Sequence, residues 1–250
     1  MPLLRVEHLR VDFAARAAVA DVSFDIAEGE TLGLVGESGS GKSTLARAIV
    51  RLAASRGQVW WRGEDLARLD GAALRRARRE LQIVFQDPLA SLDPRMTAAE
   101  SIAEPLRNLM PEIGAPARAE RVARMLARVG LTNREGGRYP HELSGGQCQR
   151  IGIARAMISG PKLLICDEPV SSLDVSVQGQ IVNLLVDLQR EAGTAMLFIS
   201  HNLAVVRQVS HRILVMHEGR IVESGSREQI FAAPAHPYTR ALLAAVPSIP

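Results

Sequence analysis

Apolar and polar residues alternate near the start of the chain. Leu4-Arg5-Val6-Glu7, Leu9-Arg10-Val11-Asp12-Phe13 and Val22-Ser23-Phe24-Asp25-Ile26 each put one kind of side chain on one face, as antiparallel strands with a wet side do. After the turn at Glu28-Gly29-Glu30 the pattern becomes continuously apolar. Thr31-Leu32-Gly33-Leu34-Val35 reads as a buried strand, and Thr44 to Val50, with apolar residues three to four apart, as a helix. Gln58-Val59-Trp60-Trp61 and Leu81-Gln82-Ile83-Val84-Phe85 give two more strands.

Between Asp93 and Ser159 the period is helical. Asp93-Pro94 offers an N-cap with proline at the first helical position, and Thr97-Ala98-Ala99-Glu100 fits a capping box. Val122, Met125, Leu126 and Val129 share one helix face. This block reads as a helical lobe inserted into an otherwise alternating α/β chain. Strands follow at Leu163–Asp167, Ala195–Ile199, Ile213–Met216 and Arg220–Glu223, with helices at Val175–Glu191 and Leu203–Val209. The tail from Arg227 to Val246 reads as two short helices broken at Pro234 and Pro237.

Composition narrows this picture little. At 250 residues the chain suits one large α/β unit, or one core with a smaller lobe. No apolar run approaches the roughly 20 residues a bilayer-spanning helix needs, and the N-terminus carries no signal-peptide apolar core. The net charge is only +3, and the one dense basic cluster is Arg75-Arg76-Ala77-Arg78-Arg79. It reads as a solvated helix face in preference to a nucleic-acid or lipid contact. The two lysines are Lys42 and Lys162, so a lysine in a glycine-rich loop is no by-product of composition. Cys148 and Cys166 form no C-x-x-C pair, which suits a reducing compartment without a disulfide framework.

Three motifs carry chemistry. Gly36-Glu37-Ser38-Gly39-Ser40-Gly41-Lys42-Ser43 has the spacing of a phosphate-binding loop and lies between the predicted strand and helix. There the unpaired N–H groups and the helix dipole favour a phosphate. Lys42 would reach the β- and γ-phosphates, and Ser43 would complete a magnesium shell. Leu163-Leu164-Ile165-Cys166-Asp167-Glu168 is an apolar strand ending in two acids, which a parallel sheet delivers to the edge where ligands bind. Asp167 is placed to hold magnesium, and Glu168 to orient or deprotonate an attacking water. In Leu143-Ser144-Gly145-Gly146-Gln147, Ser144 and Gln147 make a capping box. The paired glycines, unfavourable in a first turn, make sense if a bulky anion must approach the backbone.

Taken in order, these motifs resemble the ATP-binding cassette ATPases over nearly the whole chain. The resemblance implies a single domain over residues 1–250 with a P-loop NTPase (RecA-like) α/β core and an N-terminal antiparallel β subdomain. Within it would lie an inserted helical subdomain at about 93–159 and a helical tail at about 226–250. It implies binding of ATP and Mg2+ by Gly36 to Ser43 and by Thr44. Adenine would stack on Phe13, a position equally suited to a core aromatic. Gln86 would join Ser43 and Asp167 at the metal, and Ser171-Ser172-Leu173-Asp174 would form the D-loop. His201 would contact the γ-phosphate. Glu168, His201, Gln86 and Lys42 are the implied catalytic set.

A narrower resemblance rests on Gln86-Asp87-Pro88-Leu89-Ala90-Ser91-Leu92-Asp93-Pro94-Arg95, on Glu168 to Ser176, and on His236-Pro237-Tyr238-Thr239-Arg240-Ala241-Leu242-Leu243. These look like the ATPase subunits of oligopeptide, dipeptide and nickel importers. Many of those continue into a cysteine-rich segment; the sequence in hand ends at Pro250 before one. Cys148 follows the Leu143-Ser144-Gly145-Gly146-Gln147 motif, the signature in this resemblance, where a polar or larger residue is more usual. The implied protein hydrolyses ATP as a head-to-tail dimer, with Ser144 to Gln147 acting in trans, at the cytoplasmic face of the membrane. Its partners would be two permeases, a second ATPase subunit and, indirectly, an external solute-binding protein, with no nucleic acid. Nickel or metal-chelate uptake, a soluble cassette protein, an exporter ATPase and a non-catalytic binding module are the alternatives. The last is disfavoured because Lys42, Asp167, Glu168 and His201 are all present.

Overall fold

The computed structural model describes residues 1–13 and 16–245. Strands β1 (Leu4–Phe13), β2 (Arg16–Ile26) and β3 (Thr31–Val35) are followed by helix α1 (Lys42–Ile49) and strands β4 (Arg56–Trp61) and β5 (Glu64–Asp65). Then come α2 (Gly71–Glu80), β6 (Leu81–Val84), α3 (Ala98–Leu109), α4 (Ala115–Arg128), α5 (Asn133–Gly136) and α6 (Gly145–Met157). The chain continues through β7 (Leu163–Asp167), α7 (Val175–Ala192), β8 (Ala195–Ile199), α8 (Leu203–Val209) and β9 (Arg212–His217). It ends with β10 (Arg220–Ser226), α9 (Arg227–Ala232) and α10 (Pro237–Ala244). These elements form two compact units, Met1–Asp70 with Ala195–Pro250, and Gly71–Thr194.

The first unit holds an antiparallel sheet in the order β2-β1-β4-β5, and the neighbouring strands β10-β9-β3-β8. Strand β3 runs parallel to both β8 and β9, while β10 pairs antiparallel with β9. Every residue of β3 and β8 is buried, which is why both read as unbroken apolar runs. The start of β3 is pinned by His211: Thr31 N–H donates to its ring Nδ1 at 2.9 Å, and Thr31 C=O accepts from its backbone N–H at 2.8 Å.

The two short strands expected at Leu4–Glu7 and Leu9–Phe13 are one strand. Its register against β2 shifts between Val6 and Leu9, where His8 takes φ 50°, and again where Asp21 of β2 takes φ 64°. The bulge moves the alternation by one residue, so Leu4, Val6, Leu9 and Val11 are all buried although Val6 and Leu9 are three apart. His8 Nδ1 lies 2.8 Å from Asp21 Oδ1 across the bulges. Strand β2 also begins six residues earlier than the alternation predicts.

In the second unit β6 and β7 are parallel neighbours. Ile102 and Leu106 of α3, Val122, Met125 and Leu126 of α4, and Ile151 and Ile153 of α6 are buried and form the apolar interior of the helical part. The expected N-cap at Asp93-Pro94 is not one. The Asp93 carboxylate accepts from the Arg95 N–H at 2.9 Å and from its guanidinium at 3.0 Å, which closes a local turn. Helix α3 starts at Ala98, capped by Thr97 with Glu100 in a reciprocal capping box. The basic cluster lies on α2 with Arg75, Arg76 and Arg78 exposed, as a solvated face. In the tail, Pro237 starts α10 as its first residue, where proline's missing N–H costs nothing.

Phe198 of β8 is fully buried, whereas Leu89 is 53% exposed. Phe198→Ala is expected to lower stability by about 3–5 kcal/mol, and Leu89→Ala by no more than about 0.5 kcal/mol. Urea unfolding followed by circular dichroism checks both, and a Phe198→Ala midpoint close to wild type would contradict this packing.

Candidate functional site

The glycine-rich loop between β3 and α1 is closed in by main chain. A Cβ on Gly36 (φ 154°) would lie 2.1 Å from the Met216 carbonyl oxygen, and one on Gly41 (φ 106°) 2.2 Å from that of Ala18. No side chain fits at either position. Gly219, in the turn from β9 to β10, donates its N–H to Ser40 O at 3.0 Å and accepts from Ala20 N–H of β2 at 2.7 Å. The loop is thus tied to both sheets of its unit.

Lys42 opens α1 and is 3% exposed. Its Nζ donates to Gly36 O and Glu37 O, both at 2.8 Å, and to Ser40 Oγ at 3.4 Å, which keeps the ammonium inside the loop. Gly41 caps α1 without a side-chain bond, and no acid sits in the first turn, so the positive helix end is not offset locally. Glu37, Ser38 and Gly39 are exposed, and Ser43 and Thr44 half-buried at the start of the helix.

His201 also belongs to this unit, exposed after the end of β8 and just before Asn202, which caps α8. Phe13 is the last residue of β1; its side chain lies outside the described residues. Sequence reasoning missed one neighbour of the loop. The Tyr238 hydroxyl accepts from the Glu37 N–H at 3.1 Å, and its ring stacks on His217. The only signal was the His236-Pro237-Tyr238 run, which nothing local connects to a loop 201 positions away.

In the second unit, β7 delivers Asp167, 1% exposed, and then Glu168, half-buried. Glu168 takes φ 47° directly before Pro169. A side-chain-bearing residue rarely adopts that conformation, and proline further restricts the residue before it. Strain of this kind, about 1–3 kcal/mol, persists where surrounding bonds hold it. Here the Glu168 carbonyl accepts from Ser171 N–H at 3.2 Å and Ser171 Oγ at 3.1 Å. Gln86, exposed after β6, donates from Nε2 to Glu168 Oε2 at 3.4 Å, and its carbonyl accepts from Ser172 Oγ at 3.4 Å. The structure therefore brings Gln86, Glu168 and the Ser171-Ser172 turn together. Asp174, exposed, sits at the N-cap position of α7 without a side-chain capping bond. Burial, reinforced by Asp167, pushes the Cys166 thiol far above its ordinary range, so it stays a neutral core group.

Ser144 and Gln147 form the expected capping box of α6: Gln147 N–H donates to Ser144 Oγ at 3.3 Å, and Gln147 Oε1 accepts from Ser144 N–H at 3.0 Å. The two glycines differ in their surroundings. A Cβ on Gly146 would lie 3.0 Å from Val177 Cγ1 of α7, whereas one on Gly145 would make an ordinary 3.6 Å contact with Leu173. Close helix packing thus accounts for one glycine, and Gly145 alone keeps open backbone at the exposed helix start.

Among the described residues, no group of three His, Cys, Asp or Glu side chains is placed to hold a metal ion. The candidate donors are the Ser43 hydroxyl, the Asp167 carboxylate and the Gln86 amide, all hard oxygen groups. They suit magnesium, which fills much of its shell from phosphate and water, in preference to a metal needing a protein cage.

Residues 19–171 match the family model described as ABC transporter, and residues 222–250 that of the oligopeptide/dipeptide transporter C-terminal region. The chain is 51% identical to the oligopeptide transport ATP-binding protein OppF of Haemophilus influenzae, over 98% of this chain and 78% of that protein. It is 56% identical to OppF of Escherichia coli strain K12, over 92% of this chain and 69% of that one. The glutathione import ATP-binding protein GsiA of the same strain is 54% identical over 98% of this chain, which spans 41% of GsiA. Among solved structures, the dimeric post-hydrolysis state of the ATP-binding cassette MJ0796 bound to ADP and Pi superposes with a TM-score of 0.79 at 29% identity. That match covers 90% of this chain and 98% of that one. The cbiO1 structure from Clostridium perfringens gives 0.80 at 27% identity, over 93% and 91%. These likenesses give the α/β P-loop NTPase fold.

Gly36 and Gly39 separate packing from backbone freedom, since a Cβ on Gly39 (φ 81°) meets nothing within 4 Å. Gly39→Ala is expected to fold and lose about 1–2 kcal/mol to left-handed strain. Gly36→Ala is expected to melt at a markedly lower temperature and to lose binding of a fluorescent ATP analogue. Thermal melts and titrations compare them; equal behaviour of the two variants would contradict the main-chain clamp.

Proposed function

This chain belongs to the ABC transporter family, and on that premise we propose that it powers an importer of peptides or a related small solute. It is an ATPase. The observation that carries the reading is the phosphate loop, whose glycines are held by main chain and whose lysine is buried beneath them. The peptide assignment draws support from the C-terminal region match and from the names of the OppF and GsiA relatives.

In this reading the loop from Gly36 to Thr44 binds the β- and γ-phosphates of ATP through the backbone N–H groups not already engaged within its unit and through the Lys42 ammonium, with Phe13 against adenine. Ser43, Asp167 and Gln86 hold magnesium, which when bound neutralises phosphate charge. Glu168 orients a water and takes its proton as the oxygen attacks the γ-phosphorus and the bond to ADP breaks. His201 donates to the γ-phosphate. Ser144, Gly145, Gly146 and Gln147 bind the γ-phosphate held by a partner ATPase, and Asp174 completes that dimer contact.

Described residues include no helix long and apolar enough to cross a membrane. With the importer names of the relatives in support, we place the chain at the cytoplasmic face as a peripheral subunit on two permeases, docked near Asp87 to Glu104, with an external solute-binding protein feeding them. Nucleic acid plays no part. The domain reading is one cassette over 1–250, with helices α3 to α6 forming its helical subdomain.

Glu168→Gln is expected to bind ATP, to lose at least about a hundredfold in hydrolysis, and to elute as a nucleotide-bound dimer in gel filtration. Wild-type turnover in that variant would remove Glu168 from its role. Activity per chain is expected to fall on dilution; constant activity in clearly monomeric protein would exclude action in trans.

A further inference from the structure

We propose that Tyr238 is a positioning residue for the phosphate loop, holding the Glu37 backbone so that the loop is ordered before nucleotide arrives. The proposal rests on the reading of Gly36 to Ser43 as the nucleotide site. Its basis is a chain of bonds within one unit. The Tyr238 hydroxyl accepts the Glu37 N–H at 3.1 Å. Its half-buried ring lies against His217, with centroids 3.9 Å apart and planes 27° from parallel. His217 ends β9, two residues before Gly219, whose N–H holds Ser40 at 3.0 Å. The loop is therefore gripped at Ser40 by the β9–β10 turn, and at Glu37 by a tyrosine resting on the same hairpin.

The tyrosine is itself held. Tyr238 N–H donates to Nδ1 of His236, the N-cap of α10, at 3.2 Å, and Pro237 fixes the first turn. The Glu223 carboxylate of β10 accepts from Ala235 N–H at 2.7 Å and His236 N–H at 3.0 Å, fastening the approach to that helix. A phenylalanine would keep the ring stack but return the Glu37 N–H to water. A loop ordered in advance loses less conformational freedom on binding, so the effect falls on nucleotide affinity and not on turnover once nucleotide is bound.

The experiment uses the full chain, wild type and Tyr238→Phe, with Mg-ADP as the probe in calorimetry. Amide hydrogen exchange is followed for the peptide spanning residues 36–44. The Kd for ADP is expected to rise roughly threefold to tenfold, the scale of one net hydrogen bond. Exchange should quicken in that peptide but not in β9, β10 or α10, and turnover at saturating ATP should stay within twofold. An unchanged Kd overturns the proposal. So does a fall in saturated turnover without loss of affinity, or faster exchange spread equally over β9, β10 and α10. Wild-type protein that fails to bind ADP sinks the phosphate-loop reading itself; ordinary wild-type binding with an unaffected variant sinks only the role of Tyr238.

Discussion

Main chain pressing on main chain is the constraint on which the glycine-rich loop depends. The carbonyls of Met216 and Ala18 occupy the space a side chain would need at Gly36 and Gly41, so glycine is required there for room as well as for φ. That closeness lets Gly219 bridge Ser40 and Ala20 with its two backbone groups. The antiparallel sheet at the N-terminus and the strands around β3 are both parts of the loop's mounting. Within that mounting the loop's own Gly36 and Glu37 carbonyls receive the Lys42 ammonium.

In the second unit the organising feature is a single unfavourable backbone angle. Glu168 holds φ 47° before a proline, and its carbonyl is fastened by the Ser171 N–H and hydroxyl. The carboxylate thereby meets the Gln86 amide instead of continuing the direction of β7. A residue whose side-chain direction is set this way is pre-aimed, and in the proposed mechanism the aim matters more than the acidity.

Much of this was legible in the sequence, because the informative signals are local. Unbroken apolar runs marked β3, β7 and β8, and capping boxes marked the starts of α3 and α6. The phosphate loop is a contiguous motif. What escaped is what depends on partners far along the chain. The bulge at His8 broke the alternation and made one strand look like two. Asp93 found its guanidinium partner two residues on and gave up a cap it was spaced to make. The contact of Val177 with Gly146 supplied a packing reason for a glycine that sequence reasoning gave to an anion. Nothing local in the His236-Pro237-Tyr238 run pointed to the Glu37 amide.

The narrow gap between Gly146 and Val177 carries a mechanical corollary. A Cβ added at Gly146 would come within 3.0 Å of the valine methyl, so any larger residue there would press the start of α6 away from the start of α7. The spacing of the two helix starts is therefore set by the lack of a side chain at residue 146.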